Sequence, residues 1–317
     1  MTSRPSAIGH DFTVDNTRPL LRQACGAVGL DARDAQVLRH HTNAVYLVGQ
    51  VPDAVVVKIG RPGVDHQRDL RNARGLVSLI AWLIRHRAPI TPLLQGIEQP
   101  VVVNGHVVTF WRHLPQQHPV STEAIAAPLL ALHQAPQPPF PLPALDPITA
   151  IARSTAASRI LDDDHRTAVM TRLEELTPFW TRLSGSVPQC LIHTDPQHRN
   201  TLWRSAPGNE EAALNRASTP AVLCDLDGVA LGPVEWDLVT IEVHCRRFGH
   251  VDHDAFAKVY GRDIREWEGY PPLRTLRELR MIATNARKSS PGSPQATEVI
   301  HRIHGLDEDI TAPWNII

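Results

Sequence analysis

The chain has 317 residues, 42% of them hydrophobic and 21% charged, with 32 basic against 33 acidic side chains. At about 100–200 residues per domain, this length predicts two domains or one bilobal unit, large enough to fold without disulfides or a structural metal. Balanced charge and ample apolar content exclude a disordered chain and a general polyanion binder, so no nucleic-acid partner is expected.

Residues 18–30 have helical apolar spacing that ends near Gly29. The runs AVYLV (44–48) and AVVVKI (54–59) flank a short turn and predict a β-hairpin. A long helix is expected over 65–87, opened by Asp65 and closed by Ala88-Pro89. Strands at 100–105 and 106–114 meet at Asn104-Gly105, a strong hairpin signal. After Leu114 the pattern turns helical, at 121–133 and 146–183, with the proline-dense stretch 134–147 as an extended linker. Short strands follow in QCLIHTD, NTLWR and AVLCDLD, and the polar run 204–220 reads as a hairpin tip. Helical spacing resumes from Val234. The expected organisation is an α+β bilobal fold: a small antiparallel-sheet lobe over 1–113 and a larger, mainly helical lobe over 114–317.

No apolar run approaches the roughly 18–20 residues of a membrane-spanning helix, and MTSRPSAIGHDF at the start lacks the apolar core of a signal peptide. No membrane partner and a cytoplasmic location are therefore expected. The four cysteines lack C-x-x-C spacing, so neither disulfide nor zinc is expected of them. Only Lys58, Lys258 and Lys288 among the basic residues are lysines, and an ammonium is not equivalent to a guanidinium.

The densest polar cluster in apolar surroundings is LIHTDPQHRNTLW (191–203), where Asp195 and Asn200 stand between two apolar runs. A second apolar strand delivers Asp225 and Asp227. Carboxylates at strand ends need a metal, a hydrogen-bond network or solvent, and this oxygen-donor set suits Mg2+.

The order HTDPQHRN (193–200), VLCDLD (222–227) and GPVEWDL (232–238), with VVVKI (55–59) upstream, resembles the aminoglycoside phosphotransferase family. That family has a protein-kinase-like fold. The resemblance implies transfer of the γ-phosphate of ATP or GTP to a hydroxyl of a small molecule: an aminoglycoside-like antibiotic, a sugar or an amino-alcohol. It implies Asp195 as catalytic base, and Asn200 and Asp225 as ligands of Mg2+ on the nucleotide phosphates. Lys58 would pair with the α/β-phosphates, and Thr42 and Asn43 would turn backbone N–H groups toward them. VTFWRHL (108–114) falls where the lobes join, which places Trp111 and His113 with the nucleotide. His193 and Asp237 would brace the catalytic loop. Asp227 and Glu235, with Glu242, Glu266 and Glu268, would attract a cationic acceptor or form a solvated helix face.

Two departures from the family pattern stand out. Thr194 replaces the usual glycine, and the helix after Lys58 offers Asp69 or Asn72 in place of the expected glutamate. Both motivate an alternative, a nucleotide-binding protein of the same fold without catalysis. A second alternative is a phosphatase with Asp225 as nucleophile, because VLCDLDG also resembles the Asp-x-Asp-Gly motif of haloacid-dehalogenase-type enzymes. That reading leaves Lys58 and HTDPQHRN without a role. A histidine-ligated metal at His193, His198, Asp225 and His244 lacks the helical spacing of zinc sites. Taken alone, Lys58 would be an edge-strand charge.

Overall fold

A computed structural model describes residues 12–204, 221–250, 252–306 and 311–317. The expected hairpin tip at 204–220 lies, after Arg204, outside the described residues, as do the first eleven residues. The chain divides into two compact units, one running to Gln117 and the other starting at His118. The expected division fell after residue 113.

The first unit holds α1 (Val14–Ala27), α2 (His66–Arg85) and an antiparallel sheet of five strands. These are β1 (Gln36–His40), β2 (Asn43–Val48), β3 (Val55–Gly60), β4 (Val101–Val103) and β5 (His106–Arg112), ordered β1-β2-β3-β5-β4. Strict alternation puts Ala44, Tyr46, Val48, Val55, Val57, Ile59, Val108 and Phe110 in one core with Leu20, Leu21, Ala24 and Cys25 of α1. The Tyr46 hydroxyl, buried there, finds the Thr17 hydroxyl at 2.6 Å. Asn104 and Gly105 both take positive φ, 48° and 79°, the requirement of a type I′ turn between β4 and β5. Asp65 caps α2 by accepting the Arg68 N–H.

Among the described residues, seven helices of the second unit accompany two small antiparallel strand pairs. The helices are α3 (Thr122–His133), α4 (Pro147–Ala156), α5 (Asp163–Ser186), α6 (Val234–Phe248), α7 (His253–Tyr260), α8 (Tyr270–Lys288) and α9 (Pro294–His304). Strand β6 (Cys190–Ile192) pairs with β9 (Ala230–Gly232), and β7 (Thr201–Trp203) with β8 (Ala221–Leu223). The proline-dense stretch is extended, and Pro143 and Leu145 bond the backbone of Leu231 on β9. The single helix expected over 146–183 is two helices, because the side chain of Arg166 bonds the carbonyls of Thr155, Ala156 and Ser158 at the break. Helix α6 is buried almost all round, its polar residues included, and passes behind β6. No helix among the described residues is long and apolar enough to cross a membrane.

Candidate active site

The segment 193–200 leaves β6, passes through a 3₁₀ turn at His198–Asn200 and enters β7. Its first residues are fixed by Asp237 on α6, a fully buried carboxylate. Asp237 accepts the backbone N–H of His193 at 2.6 Å and of Thr194 at 2.8 Å, and the His133 Nε2 lies 3.0 Å from it. The Trp236 indole donates to the Thr194 carbonyl at 3.0 Å. Thr194 adopts φ 72°, so the position keeps the left-handed backbone that a glycine would supply without strain. Its hydroxyl donates to the Gly228 carbonyl at 3.1 Å, and a Cβ on Gly228 would stand 2.7 Å from that hydroxyl oxygen. A side chain at 228 would therefore displace the Thr194 hydroxyl from this bond. Replacing Asp237 by Ala leaves three buried donors without an acceptor. The expected loss is about 2–3 kcal/mol of stability, read by denaturant unfolding against wild type.

Asp195 stands at the open side of this loop, its side chain 47% exposed. One oxygen, Oδ2, accepts from the Gln197 amide at 2.8 Å and the Asn200 amide at 3.3 Å. The other, Oδ1, accepts from Arg277 Nη2 at 2.7 Å. Arg277, on α8, is itself buried and donates Nε to the Thr240 hydroxyl at 2.7 Å. Desolvation by the surrounding protein opposes ionisation of Asp195. The Arg277 charge, helped by the Gln197 amide, outweighs it and holds the carboxyl below the ordinary aspartate range. The aspartate is thus ionised at neutral pH.

Asn200 spends its amide N–H groups on the Asp195 backbone and carboxylate, which turns its Oδ1 away from the aspartate. Cys224 N–H bonds the Asn200 carbonyl at 2.9 Å, and His193 Nε2 lies 2.9 Å from the Cys224 carbonyl. A carbonyl only accepts, so the proton of His193 sits on Nε2. These two bonds tie the end of β8 to the 193–200 segment at Cys224, the residue before Asp225. Asp225 has φ 58°, a conformation that aspartate tolerates better than most residues. An amide oxygen and a carboxylate are the hard donors that Mg2+ takes.

Behind the loop, His198 lies 3.0 Å from the Thr122 hydroxyl, and its ring centroid is 4.0 Å from that of His250. Burial pushes His198 down to about 4 and His244 to about 3, so both are neutral at pH 7. Among the described residues, the one grouping of metal-binding side chains close enough to share an ion is His253, Asp254 and Asp263, where Arg265 already pairs with both aspartates.

In the first unit Lys58 lies on β3, the central strand, paired with Val45 on one side and Thr109 on the other. It is not an edge charge. It shares its sheet face with Thr109 and Trp111, opposite the α1 core. The indole N–H of Trp111 is already taken by the Thr109 hydroxyl at 2.9 Å. Burial lowers the basicity of His113. Asp69 accepts the Gly63 N–H at 2.6 Å. The first helix and the strand at 44–48 are separated by a further strand, because QVLRH pairs with β2 despite its mostly exposed pattern, so Thr42 lies exposed in the β1–β2 turn and half-buried Asn43 opens β2.

The acidic residues proposed as a cation attractant divide. Asp227 is exposed. Glu235 is buried and paired with Arg262 at 2.6 Å, and Glu242 with Arg246 at 2.8 Å, so neither is a solvated face nor an open negative site. Arg277, Gln197 and His133 are site residues that the sequence did not single out. Arg277 meets Asp195 across 82 positions, a contact for which periodicity holds no signal.

Residues 34–276 match the phosphotransferase enzyme family. The chain belongs to that family. It is a phosphotransferase by family, with a protein-kinase-like fold. No curated protein sequence matches it. Among solved structures it resembles a microcompartment-associated aminopropanol kinase (TM-score 0.68, 16% identity, covering 91% of this chain and 94% of that one). It also resembles a choline kinase from Streptococcus pneumoniae (0.63, 13%, 93% and 100%). A third is a spectinomycin phosphotransferase in complex with ADP and spectinomycin (0.58, 14%, 95% and 96%). The phosphatase alternative does not fit this family, and β8, which carries its motif, pairs antiparallel with β7.

Proposed function

We propose that this phosphotransferase moves the γ-phosphate of ATP or GTP to a hydroxyl of a small molecule, with Asp195 as the base. The observation that carries this is the Asp195 carboxylate, ionised, partly open, and oriented on both oxygens by Gln197, Asn200 and Arg277. An acceptor hydroxyl placed against it is aligned for attack and gives up its proton as the phosphoryl group transfers. Asn200 and Asp225 would hold Mg2+, which when bound neutralises charge on the phosphate oxygens. Lys58 pairs with the α/β-phosphates, and the backbone at Thr42 and Asn43 covers them. The unit to Gln117 is then the nucleotide-binding lobe, and the rest of the chain the catalytic and acceptor-binding lobe. His193 and Asp237 act by keeping the loop in shape. The backbone conformation of Thr194 supports catalysis over binding alone, since the departure from glycine leaves the loop geometry in place.

Nucleotide use is tested by thermal unfolding with Mg–ADP, Mg–ATP and Mg–GTP. Binding at a hundredfold excess over Kd is expected to stabilise by about 2.7 kcal/mol, and chelating the metal should remove most of that gain. No stabilisation by any of the three contradicts the proposal.

A further inference from the structure

The charges around Asp195 are not those of a site for a polycation. The carboxylates of α6 and α8 are closed off by arginine: Glu235 with Arg262, Glu242 with Arg246, and Glu278 with both Arg246 and Arg247 at 2.8 and 2.7 Å. Beside the aspartate stands its own partner Arg277, and α8 carries a further arginine. Arg277 touches Asp195 Oδ1, on the side away from Gln197 and Asn200, which hold Oδ2. The proposed metal ligand and the phosphate donor therefore belong to one side of the carboxylate, and α8 to the other.

Arg280 follows Arg277 by three residues and so lies on the same helix face. It is half-buried, and its Nη1 donates to the Thr284 hydroxyl at 2.7 Å. No carboxylate among the described residues lies within 4.0 Å of it, and its other N–H groups stay accessible. Burial first, then Arg277 and Arg287, pushes Arg280 below the ordinary arginine value, while Asp195 pulls the other way. A guanidinium that is partly stripped of water and lacks an anion is an unfinished pair.

We propose that the acceptor carries an anionic group, a carboxylate or phosphate, next to its reacting hydroxyl, and that Arg280, one turn along α8 from the Arg277–Asp195 pair, receives it. This rests on Asp195 being the base of the transfer. Arg280 sets a preference for hydroxy-acids or phosphorylated alcohols over amino-sugars and quaternary amines. A cation placed there would meet its charge, and Asp195 is already paired with Arg277.

Calorimetric titration with sodium sulfate at constant ionic strength tests this, in the presence of Mg–ADP and again with Mg–AMPPNP, which also carries a γ-phosphate. Saturable sulfate binding is expected in both. In Arg280→Gln it should weaken about tenfold or more, with thermal unfolding and Mg–ADP affinity unchanged. Arg280→Lys, which keeps the charge and loses the fork, should fall between the two. The proposal is overturned if the wild-type protein binds Mg–ADP but not sulfate, or if Arg280→Gln binds sulfate as tightly as wild type. It is also overturned if Mg–AMPPNP displaces sulfate while Mg–ADP does not, since Arg280 would then serve the donor phosphate. A wild-type protein that fails to bind Mg–ADP would instead sink the phosphotransferase proposal itself.

Discussion

Asp195→Asn is expected to lower phosphoryl transfer by about 10²–10⁴-fold, the range for loss of a general base, while leaving Mg–nucleotide affinity nearly unchanged. The amide has the same shape, so the effect isolates charge and proton acceptance. It also reverses one hydrogen-bonding partnership. An amide NH2 cannot accept from Gln197, Asn200 or Arg277, so one side of the new side chain must lose its donor. Steady-state kinetics on wild type and variant, with calorimetric Mg–ADP binding alongside, separates the two effects. A variant with unchanged kcat would remove Asp195 from the chemistry.

Asp225→Asn is expected to weaken Mg–nucleotide binding and turnover together, by about 10–100-fold, because it removes a charged donor from the metal. Lys58→Ala should act in the same direction, since both groups are assigned to the same phosphates. The pair is more informative than either variant. If Asp225 were a nucleophile, its substitution would abolish a covalent aspartyl-phosphate and Lys58 would be dispensable. Binding of Mg–ADP to the two single variants distinguishes these outcomes.

The parts of the fold that were legible in the sequence are those set by local pattern. Alternation in AVYLV and AVVVKI gave two central strands, and Asn104-Gly105 gave a turn whose positive φ values leave little alternative. Strand β1 was not legible, because QVLRH is mostly exposed and is held by pairing with β2 rather than by burial. The break between α4 and α5 was hidden for a different reason. Apolar spacing continues through it, and the carbonyls freed there are satisfied by Arg166 from the following helix. At the site, Asp195 and Asn200 stand five residues apart and meet within one loop, so sequence order alone placed them together. Arg277 and His133 reach the loop from helices 82 residues after Asp195 and 104 before Asp237. An arginine in an amphipathic helix looks the same in sequence whether it faces water or a carboxylate. The same blindness made Glu235 and Glu242 look like an open acidic face until their arginine partners were placed.

Transfer of radiolabel from γ-labelled ATP and GTP, in magnesium, into a library of small hydroxyl compounds that includes both hydroxy-acids and amino-alcohols tests the central claim most directly. The expected result is label in a phosphate monoester of at least one acceptor, dependent on Asp195, with none retained on the protein after denaturation. Label retained covalently on Asp225, in a protein whose turnover is indifferent to Lys58→Ala, would contradict it.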